Sequence, residues 1–336
     1  MSLVRPPPMP RQSVVERFAF FLIAAAVSLG AQAQTLGVFP AKPIRWIVDY
    51  PAGGISDILA RQVGQKLAEA WGVPVVFDNK PGANGIIAYT AIAKAVPDGY
   101  TIGLASTPLA LNPSLRKDLP FDTQKDIAPL ALMAQTPNVL IANTIIQVRT
   151  VNDLVALSKT RSAGLDYASV GIGSSPHLSA EMLKKATGIK ATHVPYNGSG
   201  PALVDLIAGR SDFMFVNLPA ALPHIRSGKV VVLGVADERR SPVLPDVPTM
   251  IEAGVPDFVS IGWYGAVAPV GLPPELVRRY NTEINRILKL PEVREKIESL
   301  GAEPGALEVP GYTVFIDKDI RRWAKAVKDT GASVNN

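Results

Sequence analysis

At 336 residues, 47 % hydrophobic and 19 % charged, the chain has an ordinary globular α/β composition and enough length for two domains with real cores. Its formal charge of +5 is interspersed, with no basic block carrying aromatics, which speaks against a nucleic-acid binder. The absence of cysteine excludes disulfides and a lipid-attachment thiol behind a leader.

The N-terminus reads as an export signal. Arg11 and Arg17 precede a short apolar run at residues 18–29, and Ala31-Gln32-Ala33 supplies the small residues of a cleavage site. A membrane span needs about 20 apolar residues, so this run is too short to anchor the chain. Removal of residues 1–33 is expected to leave a soluble periplasmic protein, and no later segment is long and apolar enough to span.

A strand is expected at 44–48, followed by Tyr50-Pro-Ala-Gly-Gly-Ile-Ser-Asp57. Ile55, Ile58, Leu59, Val63, Leu67 and Trp71 recur at spacings of three and four, one apolar face of a helix ending near Gly72. Gly53 and Gly54 let the backbone turn sharply, and Ser56 or Asp57 can cap the helix start. Free N–H groups at that start favour negative charge. The loop holds no Lys or Arg, which suits a small carboxylate better than a nucleotide.

A strand at 73–78, a turn at 79–85, a helix at 86–95 and a strand at 100–105 ending in Ser106-Thr107 complete a βαβαβ unit. Such crossovers make a parallel sheet covered on both faces, with ligands at the carboxyl ends of the strands. Residues 52–56, 81–85 and 106–107 therefore gather on one edge. The apolar stretch 130–142, broken by Pro137, leads to a second series: helices at 151–159, 175–187 and 199–208, with strands at 165–170, 192–196, 212–217 and 229–236. Its Gly/Ser loops, 171–177 and 197–201, again follow strands. After a rigid loop at 241–248 come a strand at 258–267 and helices at 274–288, 291–300 and 312–328. The pattern is two α/β lobes, residues 40–138 with 262–336 and residues 139–261, joined by two crossings and able to close as a hinge.

Several motifs, in order, then identify a family resemblance. Tyr50-Pro-Ala-Gly-Gly-Ile-Ser-Asp-Ile-Leu-Ala-Arg61, Asn79-Lys-Pro-Gly-Ala-Asn-Gly85, Pro97-Asp-Gly-Tyr100, His193-Val-Pro-Tyr196, Leu244-Pro-Asp-Val-Pro-Thr249 and Glu252-Ala-Gly254 resemble the extracytoplasmic receptors of tripartite tricarboxylate transporters, the Bug or TctC-like family. The resemblance runs from about Pro40 to the C-terminus. It implies an α/β, two-lobed periplasmic-binding-protein (flytrap) fold, type II-like, each lobe a mainly parallel sheet with helices on both faces. It also implies a small carboxylate ligand, delivery to a membrane permease, and no cofactor, metal or catalysis. The receptor is expected to be a monomer. Carried over by position, Ala52, Gly53, Gly54 and Ser56 form one side of a carboxylate pincer, with Ala83 and Asn84 in a second loop and Ser106 and Thr107 in a third. From the other lobe come Ser174, Ser175, His177, Tyr196, Asn197, Gly198 and Asn217. Departures fall at Ile55, where a smaller residue is usual, at Asn84, where Gly is usual, and at Asn217, where Asp is usual.

Other readings compete at particular residues. Gly53-Gly54 can be only a tight turn, and Ser174 or Ser175 only an N-cap, though capping and ligand contact are compatible. His177, His193 and His224 lack the close pairing of a zinc site. Gly171-x-Gly173 lacks the third glycine of a dinucleotide fingerprint, and Gly198-Ser-Gly200 is not a nucleophile elbow. The alternative function is an exported serine-type hydrolase using Ser174 or Ser175 with His177. Tyr196 is expected to line the cleft, and Trp263-Tyr264 to pack at the hinge.

Overall fold

The structure is a computed structural model that describes residues 39–332; the expected export signal at residues 1–33 lies outside the described residues. The elements below belong to one unit running from Lys42 onward. Among the described residues no helix is long and apolar enough to cross a membrane.

The first lobe begins with the strand–loop–helix that the sequence announces. Strand β1 (Ile44–Val48) buries Ile44, Trp46, Ile47 and Val48. Helix α1 (Ile55–Trp71) lays Leu59, Val63 and Leu67 inward and ends at Gly72, whose φ of 69° closes the last turn through a bond from its N–H to Ala68 O. Strands β2 (Val75–Asn79) and β3 (Thr101–Ser106) pair in parallel on either side of β1, with α2 (Ile86–Ala93) between them in the chain. Helix α3 (Pro108–Leu115) and the short α4 (Thr123–Asp126) lead into β4 (Ile127–Asn143).

The second lobe repeats the scheme. It contains α5 (Val151–Thr160), β5 (Leu165–Ser169), α6 (Ser175–Thr187), β6 (Ala191–Pro195), α7 (Ser199–Ile207), β7 (Phe213–Asn217), α8 (Leu218–Arg226) and β8 (Val230–Val235). Here β5 is the parallel partner of both β6 and β7. The chain then returns through β9 (Ile261–Pro269) and closes with α9 (Pro274–Leu288), α10 (Pro291–Ser299), the two-residue β10 (Glu303–Pro304) and α11 (Val309–Thr330).

Strand order is β2-β1-β3-β9-β4-β7-β5-β6, with β8 and β10 also on β4. The 17 residues of β4 serve both lobes, over about 55 Å at the usual strand rise. From Ile127 to Pro137 it runs antiparallel to β9; from Asn138 it runs antiparallel to β7 and, one residue on, to β8. Pro137 does not break the strand, because it sits where the partners change over and a missing N–H costs the ladder least. Thus the ligand-edge strands of each lobe are parallel, and the crossing strands β4 and β9 are antiparallel.

Alternation shows why the second-lobe strands are apolar throughout. Leu140, Ala142, Phe213 and Phe215 pack on one face of the sheet, while Val139, Ile141, Met214 and Val216 pack on the other. In the first lobe Tyr89, Leu109, Trp263, Tyr312 and Trp323 share one core. There Trp263 Nε1 donates to Asp319 at 2.7 Å, so the tryptophan is a core anchor.

Three helices are not evident from the sequence pattern, α3, the four-residue α4 and α8, and of these α3 and α8 each carry an internal proline, Pro113 and Pro223. Pro113 removes the N–H that would satisfy Leu109 O, and Thr123 Oγ1 donates to that carbonyl at 3.1 Å in its place.

Candidate functional site

The loops after β1, β3, β5, β6 and β7 each deliver the chain into a helix, and the starts of α1, α3, α6, α7 and α8 all border one cavity of about 620 Å³. Five helix N-termini therefore converge on one space. At α1, α3, α7 and α8 no side chain caps the first turn, so backbone N–H groups remain to meet a ligand. At α6 Ser174 Oγ accepts from His177 N at 3.3 Å, the expected cap.

Not one of the residues lining the cavity is Asp, Glu, Lys or Arg. Positive potential in the space comes from oriented peptide dipoles, each helix start carrying about half a positive charge. Ser56, Ser106, Thr107, Ser175, Asn197 and Asn217 add hydroxyls and amides. Ile55, Ile58, Leu203, Pro223, Leu300 and Tyr264 form apolar wall. This arrangement can hold a carboxylate at its polar end and an apolar body against its wall.

The geometry is fixed from beneath. Asp57, 4 % exposed, accepts from Gly53 N–H at 3.0 Å, from Arg61 Nε at 2.9 Å and from Asn79 Nδ2 at 3.1 Å. Burial alone would raise its pKa, but Arg61, the Gly53 N–H and Asn79 outweigh it and hold the carboxyl below its ordinary range. Asp57 thereby pins the glycine turn, where Gly53 has a φ of 83° that only glycine adopts readily. The Gly53 N–H is spent on Asp57, so the loop offers a ligand the N–H groups beyond it at the start of α1. At the lobe crossover, Asn217 Nδ2 donates to Asn138 Oδ1 at 3.0 Å, and Asn138 Nδ2 donates to Ser260 Oγ at 2.8 Å. On the opposite loop, Thr107 Oγ1 accepts from Trp263 N–H at 3.1 Å.

Of the residues expected at the site, Ala52, Gly53, Gly54, Ser56, Ser106, Thr107, Ser174, Ser175, Asn197, Gly198 and Asn217 line this cavity. Ala83, Asn84, His177 and Tyr196 do not. Ala83 lies exposed on a turn with φ 48°. Asn84 is also left-handed and turns its amide away, donating to Gly173 O at 2.6 Å and to Asn112 Oδ1 at 3.1 Å, so it ties the loop after β2 to the loop after β5. The His177 ring points into the core, stacked on His193 with centroids 4.2 Å apart, and its Nδ1 accepts from Gly173 N–H at 3.2 Å. Burial lowers the pKa of both rings, that of His193 to about 4. Tyr196 Oη donates to Asp205 at 2.8 Å along α7, away from the space.

These positions also dispose of a serine–histidine couple. Ser174 Oγ donates to Gly171 O at 2.7 Å, and the His177 ring is engaged with Gly173 N–H, so neither Ser174 nor Ser175 is activated by that imidazole.

Wall residues that the sequence reading did not assign include Ile58, Leu203, Pro219, Ala220, Pro223, His224 and Leu300, and Tyr264 faces the cavity rather than only packing at a hinge. Four of them sit on α8. Treating Pro219 as a first-turn proline after strand β7, by the rule that places Pro176 on α6, would have put that helix start on the same edge.

Comparison with known proteins agrees with this geometry. Residues 59–332 match the model of the tripartite tricarboxylate transporter family receptor. Protein BugT of Bordetella pertussis is 37 % identical over 317 residues, covering 94 % of this chain and 96 % of that protein. Among solved structures, R. palustris Rpa4515 with adipate superposes with a TM-score of 0.84 at 34 % identity, covering 88 % of this chain and 99 % of that one. MatC (Rpa3494) from Rhodopseudomonas palustris with bound malate gives a TM-score of 0.80 at 31 % identity, covering 86 % and 100 %. With its two-lobed periplasmic-binding-protein fold and its cavity at five helix starts, the chain belongs to the tripartite tricarboxylate transporter receptor family, whose members are receptors and not enzymes.

Proposed function

We propose that this receptor captures a small carboxylate in the cavity between its lobes and delivers it to the membrane permease of a tripartite transporter. One observation carries the reading: five helix N-termini meet a space whose lining includes no aspartate, glutamate, lysine or arginine. The acid's oxygens are neutralised by main-chain dipoles, hydroxyls and amides, with the loop residues Ala52, Gly54, Ser56, Ser106, Thr107, Ser175, Asn197, Gly198 and Asn217 as the contacts. Adipate and malate, the dicarboxylates bound in the two related structures, support reading the ligand as a small aliphatic acid, and the aliphatic wall favours an apolar body.

The lobes are residues 40–138 with 262–336, and residues 139–261; support comes from the change of β4 partners after Pro137. Residues 1–33 act as the export signal and the mature receptor works as a monomer in the periplasm.

Thermal unfolding against malate, adipate and benzoate, each beside its amide, tests the reading. An acid that binds N alone and is present at 100 times its Kd raises stability by about 2.7 kcal/mol. The acid should shift the melting temperature and its amide should not. Equal shifts with acid and amide, or none with any acid, would overturn the carboxylate assignment.

A further inference from the structure

Beneath the cavity lies a carboxylate that the site described above does not use. Asp49 follows β1 and is 1 % exposed. Its Oδ2 accepts from Tyr89 Oη at 2.7 Å and from Ser106 Oγ at 2.5 Å, while Oδ1 has no hydrogen-bond partner. Ser56 Oγ, buried as well, also lacks a partner, and it lies near enough to Asp49 to lower that group's proton affinity. Ser56 and Ser106 are cavity residues. Two hydroxyls thus separate a buried carboxylate from the space where a ligand anion would sit.

The groups that act most strongly on Asp49 are Ser106, Tyr89 and Ser56, none of them a cation. The titratable groups that feel its charge are phenols: Tyr50 next in the chain, Tyr89 from α2, Tyr264 from β9 and Tyr312 from α11. Burial holds all four above the ordinary tyrosine range, so they stay neutral. Asp49 is itself pushed up to about 6 by burial, against the lowering effect of Ser106, Tyr89 and Ser56.

We propose that Asp49 is a proton site coupled to the ligand site, so that the receptor takes up its carboxylate together with a proton. The inference rests on the reading of the cavity as an anion site. When Asp49 is ionised, Ser106 spends its hydroxyl hydrogen on it and turns lone pairs toward the cavity, which repel a carboxylate. A proton from solvent forms an O–H bond on Asp49, and that hydrogen can then be donated to Ser56 or Ser106 Oγ. The Ser106 hydrogen is released to point at the ligand, and the negative charge below the ligand is removed. By reciprocity, the factor by which the bound anion raises the proton affinity of Asp49 is the factor by which the proton raises ligand affinity.

Titration calorimetry on the mature receptor tests this, with malate and benzoate as probes from pH 6 to pH 8.5. An anion close by raises a carboxyl group's proton affinity by about ten- to a hundredfold, so binding should be about five- to fortyfold weaker at pH 8.5 than at pH 6. Near pH 7.5, heats in buffers of different ionisation enthalpy should report uptake of a fraction of a proton per ligand. Asp49→Asn should bind at pH 8.5 as tightly as the wild type does at pH 6, without pH dependence or proton uptake. The comparison is repeated with His224→Gln, which removes the imidazole in the cavity wall as an alternative proton acceptor. Wild-type binding with no proton uptake overturns the inference, as does an Asp49→Asn variant that keeps the pH dependence. If that variant does not fold, the wild-type proton count decides alone. Failure of every acid to bind at any pH overturns the anion site, and the inference with it; binding without a proton overturns only the inference.

Discussion

Replacing Asp57 with Ala should loosen the loop that opens the cavity. The carboxylate holds Gly53 N–H and Asn79 Nδ2, and it pairs with Arg61, whose side chain is about half exposed. Hydrogen bonds from neutral donors to a charged acceptor are worth about 1.5 kcal/mol each, and an ion pair with a half-exposed guanidinium adds about 0.5 kcal/mol. Because Gly53 is exposed and water can take its N–H, the net loss should be about 2–3 kcal/mol. For a chain of this size that lowers the melting temperature by about 3–5 °C. Ligand affinity should fall as well. Fixing two or three freed loop residues costs about 1 kcal/mol each, which is about thirty- to a hundred-and-fiftyfold in Kd. The acid limb gives a second readout. The native pKa of Asp57 is depressed, so its contribution is present above the unfolded value and is lost as pH falls through the lower native one. The wild type should therefore lose its advantage over Asp57→Ala below about pH 4. Circular-dichroism melts and calorimetric titration measure both effects. A melting temperature within about 1 °C of wild type, with unchanged affinity, would refute the idea that Asp57 holds this loop in place.

Gly53→Val should abolish binding and lower stability by only about 1–2 kcal/mol, because a Cβ there meets no atom within 4 Å but inherits a φ of 83°. Affinity retained in that variant would take the glycine turn out of the site. Asn84→Gly keeps the left-handed backbone but removes the bonds to Asn112 Oδ1 and Gly173 O; losing the second, which joins the two loops, should weaken ligand binding about fivefold, beyond a stability loss of about 1 kcal/mol from the first. An unchanged Kd would mean that the bond to Gly173 is equally present with the cavity empty and full. Asp49→Asn should stabilise the unliganded receptor at pH 7.5 by about 2–3 kcal/mol, a gain that vanishes near pH 4. The sign follows from a native pKa of about 6, above the unfolded value, so the wild-type fold binds the extra proton at low pH and loses that support as pH rises through 6. A pH-independent difference in melting temperature would contradict it.

Much of this site could be read in the chain itself, and the reasons are local. The glycine turn at Gly53-Gly54 and the caps around Ser174 need residue types that work at short range, so the residues between β1 and α1, and those entering α6, sit where spacing put them. What escaped was set by partners distant in sequence. Nothing near His177 announces that His193 will stack on it, or that Gly173 will claim its Nδ1. Tyr196 has a donor's choice between the cavity and Asp205, and only the turn of α7 decides it. Prolines sit inside regular elements in three places. Pro113 and Pro223 lie inside helices whose neighbours make good the missing bond or tolerate it, and Pro137 lies in a strand at the point where its partners change.

The shared strand β4 bears on how the receptor comes apart. A sheet that lends its middle strand to two cores cannot lose either core alone, since melting one would strip an edge from the other. Denaturation should therefore be a single all-or-none event, and a ligand gripping only the rim should shield amides at the far ends of both halves from exchange with solvent.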